Sequence, residues 1–440
     1  MSTKAATYVS MFEQAQDAHA GEPAWLRTMR QSAIGVFRRQ GFPTPRDEDW
    51  RFTSVAPIAE TVFVPAPPVA VTAADLAPFL VAGLDGPVVV FVNGRLAPGL
   101  SSPAASLPGL SFAPICQAVM GRAADLEPHL GRHARADGRA FTALNAASFE
   151  DGAFLTVAEG ATIEPAIQLV FLSTPTPEPA ASHPRVLVVL GPNSQARVVE
   201  TFGSLGPTRG LTNAVAEFVV GAGAGLDHYR VQRESASAFH IGHTQYHVGR
   251  AGRISAHAVA LGGLISRHDT VAVLAGEGAD CTLDGLYHAS GVQLVDNHTE
   301  IDHATAHGTS RELYKGILDG QARGVFNGRI RVRPDAQKTD SKQTNRTLLL
   351  AGDAQVNTKP QLEIFASDVK CTHGATVGQL DADQLFFLRA RGIGLDQARG
   401  MLIRAFLAEV TLRVRLEPVR AGIDRLLSAR LPGGAPEEVA

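Results

Sequence analysis

The sequence predicts a mostly β protein, with a parallel β-helix core between an N-terminal α+β region and C-terminal helices. Three observations carry this. From about Phe141 to Gly378, short β-type runs follow one another without a convincing helix. Small glycine turns close these runs at Gly191, Gly221, Gly249 and Gly276, a spacing of roughly 30 residues that is typical of solenoids. Helical periodicity is confined to the two ends of the chain. One open sheet does not accommodate so many strands, whereas stacked coils bury each coil on its neighbours. A propeller blade would need about 40–50 residues per repeat. The expected division is 1–140 for the N-terminal region, 141–378 for the β-helix, 379–430 for the C-terminal helices and 431–440 for a disordered tail.

Residues 1 to about 40 read as helical, with Trp25, Met29, Ile34 and Phe37 on one apolar stripe and Arg27, Arg30, Arg38 and Arg39 at polar positions. Gly41-Phe42-Pro43 stops the helix. Trp50 and Phe52 follow a polar turn and read as packing anchors. Val88–Val92 is a buried-type strand, and Asn93-Gly94 signals a tight turn. Phe154–Val157, Ile167–Leu172, Val186–Leu190, Ala196–Thr201, Val215–Val220 and Val271–Leu274 read as strands, with a proline-rich loop from Pro175 to Pro184. Beyond Gly378, Asp381 or Asp383 can cap a helix through Gln384–Leu388 that Gly392 closes. A second helix begins near Asp396 and carries Leu402, Phe406 and Val410. Such helices can cap the open end of a solenoid or dock a partner.

The 440 residues are 45% hydrophobic and 19% charged, with a net charge of −3, so nothing drives the chain electrostatically toward nucleic acid or anionic lipid. No apolar run is long enough to span a bilayer, and the N-terminus lacks the apolar core of a secretory signal. Cys116, Cys281 and Cys371 lie far apart without a C-x-x-C, which writes neither a disulfide framework nor a self-contained zinc site and suits a reducing cytoplasm. There is no P-loop, no convincing dinucleotide fingerprint, no nucleophile elbow and no H-E-x-x-H.

Two segments can carry chemistry. In Gln361–Gly378, Val369, Cys371 and His373 alternate along a strand and so face one way. Cys371 and His373, roughly 6.5–7 Å apart, could reach one cluster or metal; alternatively Cys371 packs as a small hydrophobe and His373 is a satisfied turn residue. In Asp296–His303, the residues Asp296, His298, Glu300 and Asp302 share one strand face. That face could serve a polysaccharide lyase or hydrolase through Asp296, Glu300 and Asp302, or be a solvated outer surface. The pairs His243/His247 and His303/His307 read as structural. A stand-alone metal protein would draw on His303, His307, Cys371 and His373.

The segments Pro43–Thr53, Ser310–Gly320, Phe326–Val332, Gln343–Leu350, Lys359–Gly378 and Asp383–Ile393, in that order, resemble the SufB/SufD family of iron–sulfur cluster assembly proteins. Within it the chain looks like the SufD branch: Asn345–Thr358 has no cysteine where SufB carries its cluster-assembly thiolate, and C-T-H-G-A-T is intact at Cys371–Thr376. The resemblance implies a right-handed parallel β-helix and a non-catalytic cytoplasmic scaffold subunit. SufB would be its paired paralogue, with the ABC-type ATPase SufC docked on C-terminal helices through residues such as Leu385, Phe386, Arg389, Arg391, Leu402 and Phe406. His373, with Cys371 nearby, would face the SufB cysteine across the interface. The implied cofactor is a transient iron–sulfur cluster shared with SufB, none being held stably alone, and a flavin in the complex is left open, as is a homodimer of the isolated chain. Protein-held clusters usually need about four ligands, mostly thiolates, and one histidine with one nearby cysteine is an incomplete set, which suits assembly at an interface.

Overall fold

The computed structural model describes residues 3–14, 20–102 and 107–433. The N-terminal region contains helices α1 (Thr3–Gln14), α2 (Ala24–Gln40), α3 (Ala56–Glu60), α4 (Ala73–Leu76), α5 (Ile115–Gly121), α6 (Ala123–Leu126) and α7 (Ala140–Ser148). Strands β1 (Val64–Pro65), β2 (Val88–Val92), β3 (Arg95–Leu96) and β4 (Leu110–Pro114) lie among them. α2 ends where Gly41 takes φ 68° and donates its N–H to the Phe37 carbonyl. Asn93 and Gly94, at φ 51° and 82°, turn β2 back onto β3, as the primed turn of a hairpin requires.

Three readings of this region change. Arg30, expected at a polar position, is buried: it meets both carboxylate oxygens of Glu22 at 2.8 Å and donates to the carbonyls of Ala147 and Phe149. Trp50 packs under the Arg267 guanidinium, 3.7 Å from its ring centre, whereas Phe52 is exposed, with the neighbouring Arg51 guanidinium 5.7 Å from its ring centre. The expectation of continuous β texture from Phe141 fails at its start, because α7 is a helix. Its apolar side chains Phe141, Ala143, Leu144 and Ala147 are buried between α2 and the first coils.

The solenoid begins with β5 (Gly152–Val157), β6 (Ile167–Ser173), β7 (Ala180–Ser182), β8 (Arg185–Leu190), β9 (Gln195–Ser204), β10 (Leu211–Val220) and β11 (Gly225–Arg233). It continues through β12 (Phe239–Val248), β13 (Arg253–Ala260), β14 (Ile265–Leu274), β15 (Asp280–Ala289) and β16 (Leu294–His303). It ends with β17 (Thr309–Leu318), β18 (Arg323–Val332), β19 (Asp340–Leu349), β20 (Gln355–Ile364) and β21 (Lys370–Gly378). Even-numbered strands from β8 to β20 stack in parallel as one sheet, and odd-numbered strands from β9 to β21 as the other, about 8 turns in all. The fold is therefore the parallel β-solenoid the glycine period predicts. The turns stack too: Gly221 donates to the Leu190 carbonyl and Gly249 to that of Val220, at 3.0 and 2.8 Å.

Because the stacked strands are in register, residues at one rung face the same way. The interior of the early coils is apolar, with Phe91, Phe171 and Phe202 stacked at 5.1 and 4.8 Å between ring centres. Further along, the lumen is polar. His228 bridges Glu200 and Tyr246 at 3.0 and 2.5 Å, and His240 bonds Glu234 at 2.6 Å. Strand alternation alone does not reveal this, since polar residues on solenoid strands read as outward-facing. The Arg185–Glu217 pair, fully buried, ties the solenoid to the N-terminal region, with Glu217 also accepting from the N–H groups of Gly131, His133 and Ala134.

The chain closes with α8 (Ala382–Arg389), α9 (Leu395–Thr411) and α10 (Glu417–Ser428). Asp381 caps α8, accepting from the N–H groups of Asp383 and Gln384. The third helix was not read from the sequence, although Val419, Ile423 and Leu427 repeat every four residues and all three are buried. Ile403, Leu407 and Val410 of α9 pack with Leu286, Leu313 and Ile317 on the outer face of the odd-numbered sheet. The helices thus cover a flank of the solenoid, and among the described residues no helix packs across its last coil. Of the expected disordered tail, residues 434–440 lie outside the described residues, and Leu431 is buried against the helices.

Candidate functional site

Among the described residues, β20 and β21 are the last members of their sheets, so each leaves one edge without a partner strand. β20 carries Lys359 and Pro360, residues that blunt an edge. Lys359 also pairs with Glu48 at 2.6 Å. β21, K-C-T-H-G-A-T-V-G, contains no proline and is exposed along nearly its whole length. Lys370 donates its N–H inward to the Thr339 carbonyl at 2.8 Å. By the two-residue alternation of a strand, Cys371, His373, Ala375 and Val377 turn their backbone groups to the free edge. Ile364, Phe365 and Val377 expose apolar surface around it.

Register places the two candidate ligands. Cys371 pairs with Ser341 and His373 with Gln343 on β19. Those residues pair with Ser310 and Glu312 on β17, which pair in turn with Cys281 and Leu283 of the interior core. The thiol and the imidazole therefore stand on the lumen side of the final coil, at its open mouth. Cys371 is half-buried and His373 exposed. Burial pushes the Cys371 thiol above its ordinary value, so a metal or a partner charge must draw off its proton.

The second candidate group is also on the structure, but differently arranged. Asp296, His298, Glu300 and Asp302 do share the outer face of β16, and cations hold each carboxylate. Asp296 meets Arg267 at 3.0 Å, Thr53 at 2.5 Å and His298 at 3.1 Å beneath the N-terminal segment. Glu300 lies 3.7 Å from Arg329, and Asp302 2.7 Å from Arg333. This face is an ion-paired wall and offers no free acid–base pair. The His303, His307, Cys371 and His373 set of the stand-alone metal reading is not assembled: His303 sits in the lumen against Ser310 at 2.9 Å, and His307 lies on an exposed turn at φ 61°. Among the described residues, no three His, Cys, Asp or Glu side chains are grouped to hold a metal ion.

The candidate docking residues fall into two kinds. α8 buries none of its residues; Phe386 is 74% exposed, and Arg389 and Arg391 are exposed with it. Arg391 stacks its guanidinium on Phe387. Leu385 and Leu402 are half-buried. Phe406 is a packing residue: Lys315 reaches over its ring, 4.3 Å from the centre, and donates to its carbonyl at 2.7 Å. A cavity of about 640 Å³ between the N-terminal helices and the first coils contains none of the sequence-predicted site residues. Sequence reading missed the polar rungs beneath the mouth, Ser310–Ser341 and Glu312–Gln343. Their signal was available, because Glu312, Gln343 and His373 repeat at the solenoid period itself.

Comparison with known proteins adds independent findings. Residues 171–406 match the family described as SUF system FeS cluster assembly, SufBD core domain, and residues 2–169 match the SufBD protein N-terminal region. An iron–sulfur cluster assembly SufBD family protein of Synechocystis is 33% identical, over 93% of this chain and 92% of that protein. The iron–sulfur cluster assembly protein SufD of Escherichia coli is 32% identical over 90% and 91%. SufD of Bacillus subtilis is 27% identical over 93% and 95%.

Proposed function

This chain belongs to the SufBD family of iron–sulfur cluster assembly proteins, and we propose that it serves there as a SufD-like scaffold subunit with no catalytic machinery of its own. Its partners in this reading are a cysteine-bearing SufB paralogue on the terminal coil and a SufC-type ABC ATPase on the C-terminal helices, in the cytoplasm. The observation that carries the reading is the open end of the solenoid. A thiol and an imidazole stand there on a strand whose backbone edge is free. Strand addition along β21 would bring another chain's thiolates to Cys371 and His373, completing a ligand set that one histidine and one cysteine leave short. The cluster, as cargo, must also leave, and a site split between two subunits opens when they part. α8 supports the second contact, because a helix that buries nothing and exposes Phe386 and Phe387 gains by docking.

In the scaffold reading the chain's residues orient and hold rather than turn over substrate. ATP hydrolysis by the helix-bound partner would shift the population toward a parted interface. The lyase reading draws no support from the ion-paired Asp296, Glu300 and Asp302.

The test is anaerobic purification of the tagged chain from its native cells. Recovery of a P-loop ATPase and a cysteine-bearing paralogue supports the scaffold; the folded chain recovered alone refutes it. In the reconstituted complex, His373→Ala is expected to leave the melting temperature unchanged, since the side chain is exposed. Cluster formation on iron and sulfide should fall at least about tenfold, as for loss of a ligand or its support. Full cluster yield from that variant would remove His373 from the site.

A further inference from the structure

Each candidate ligand ends a file of lumen side chains. Beneath Cys371, the Ser341 and Ser310 hydroxyls lie 2.6 Å apart, and Ser310 bonds His303. Beneath His373, Gln343 donates from Nε2 to Glu312 Oε2 at 2.8 Å. This bond fixes the amide with its carbonyl oxygen turned away from Glu312. Gln343 is 1% exposed, and its Oε1 is sealed from solvent without a hydrogen-bond partner among the described residues. A buried carbonyl is costly to leave without a hydrogen bond, and this one lies directly beneath a candidate ligand. The next residue on the file is His373, one strand spacing of about 4.8 Å away. Space for the amide comes from across the lumen: a Cβ at Gly328 would collide with the Gln343 amide and the Phe326 ring.

We propose that Gln343 is a positioning residue for His373: held by Glu312, its Oε1 accepts the imidazole N–H and so fixes which ring nitrogen stays bare for iron. Neutral imidazole has one donor and one acceptor nitrogen, and the hydrogen bond made by one decides the role of the other. Gly328 is the second requirement, since any side chain there displaces the amide. The proposal rests on the reading of His373 as a cluster ligand, and its functional arm tests that reading separately.

The experiment is nitrogen NMR of the full chain with labelled histidine, His373 being assigned by the signal lost in His373→Ala. Wild type should show one His373 tautomer. Gln343→Leu should release it to both, and so should Gly328→Ala, which keeps the glutamine but displaces its amide and covers the case in which Gln343→Leu does not fold. With the cysteine-bearing partner, iron and sulfide, cluster absorbance should drop about tenfold in either variant. An unchanged tautomer in the folded variants overturns the proposal, as does full cluster yield despite an altered tautomer. A tautomer released by both variants, with no His373-dependent cluster even in wild type, upholds the hydrogen bond and sinks the cluster reading instead.

Discussion

Burial of single imidazoles sets the pH behaviour of this protein. It holds His183, His257, His288 and His303 down to about 4, and His243 down to about 3, against the usual 6.5. A histidine depressed in this way binds fewer protons folded than unfolded. Its contribution is complete above 6.5 and is lost as pH falls toward 4. Burial pushes Glu312 up to about 7 and Asp284 to about 6, and these carboxyls work the other way, losing stability as pH rises through those values. Five imidazoles outweigh two carboxyls in the acid range. Thermal melts should therefore show the melting temperature falling, by on the order of 5 °C or more, between pH 7 and pH 5. A flat profile would mean that these rings protonate freely in the fold.

At the scale of the element, β21 stands out because beyond Lys370 at its start the strand has no Lys, Arg, Asp, Glu or proline, its register is unbroken, and no described strand covers its edge. Ala375 turns its N–H outward, so Ala375→Pro removes a donor from the free edge and none from the ladder to β19. It is expected to change the melting temperature little and to weaken association with the paralogous partner by tenfold or more, about 1.4 kcal/mol. Equal affinity, measured by titration, would place the interface elsewhere than the β21 edge. The terminal helices show how much an element's neighbours matter. Asp381 and Gly392 bounded α8 from sequence alone, yet only the packing of Ile403, Leu407 and Val410 against Leu313 and Ile317 put the helices on the flank.

Across the whole molecule, a solenoid is nearly one-dimensional: each coil is stabilised by the coils on either side. The final coil has a neighbour on one side only. Hydrogen exchange should accordingly be fastest in β20 and β21 and slowest in β10 to β16, and partner addition should protect β21 selectively. Uniform protection along the solenoid would contradict this order. The N-terminal region is bound more firmly, because the buried Arg185–Glu217 pair of β8 and β10 reaches into it: Glu217 accepts from the N–H groups of Gly131, His133 and Ala134, and Arg185 donates to Asn145 of α7. Removing one member of such a pair leaves the other charge buried.

By itself the sequence determined the solenoid and named the candidate site residues. The glycine period is local information that repeats, and the alternation that puts Cys371 and His373 on one face is a property of any strand. It also made Glu312, Gln343 and His373 legible as one rung position, had the period been applied to polar residues. What only the tertiary structure decided is direction and company. Alternation separates two faces without saying which is the lumen. Asp296 could thus read as catalytic until Arg267, Thr53 and His298 closed over it, and Arg30 as solvated until Glu22 and two carbonyls enclosed it. Those partners lie up to hundreds of residues away in the chain, and burial, the term that sets their energies, comes into being only when distant segments meet.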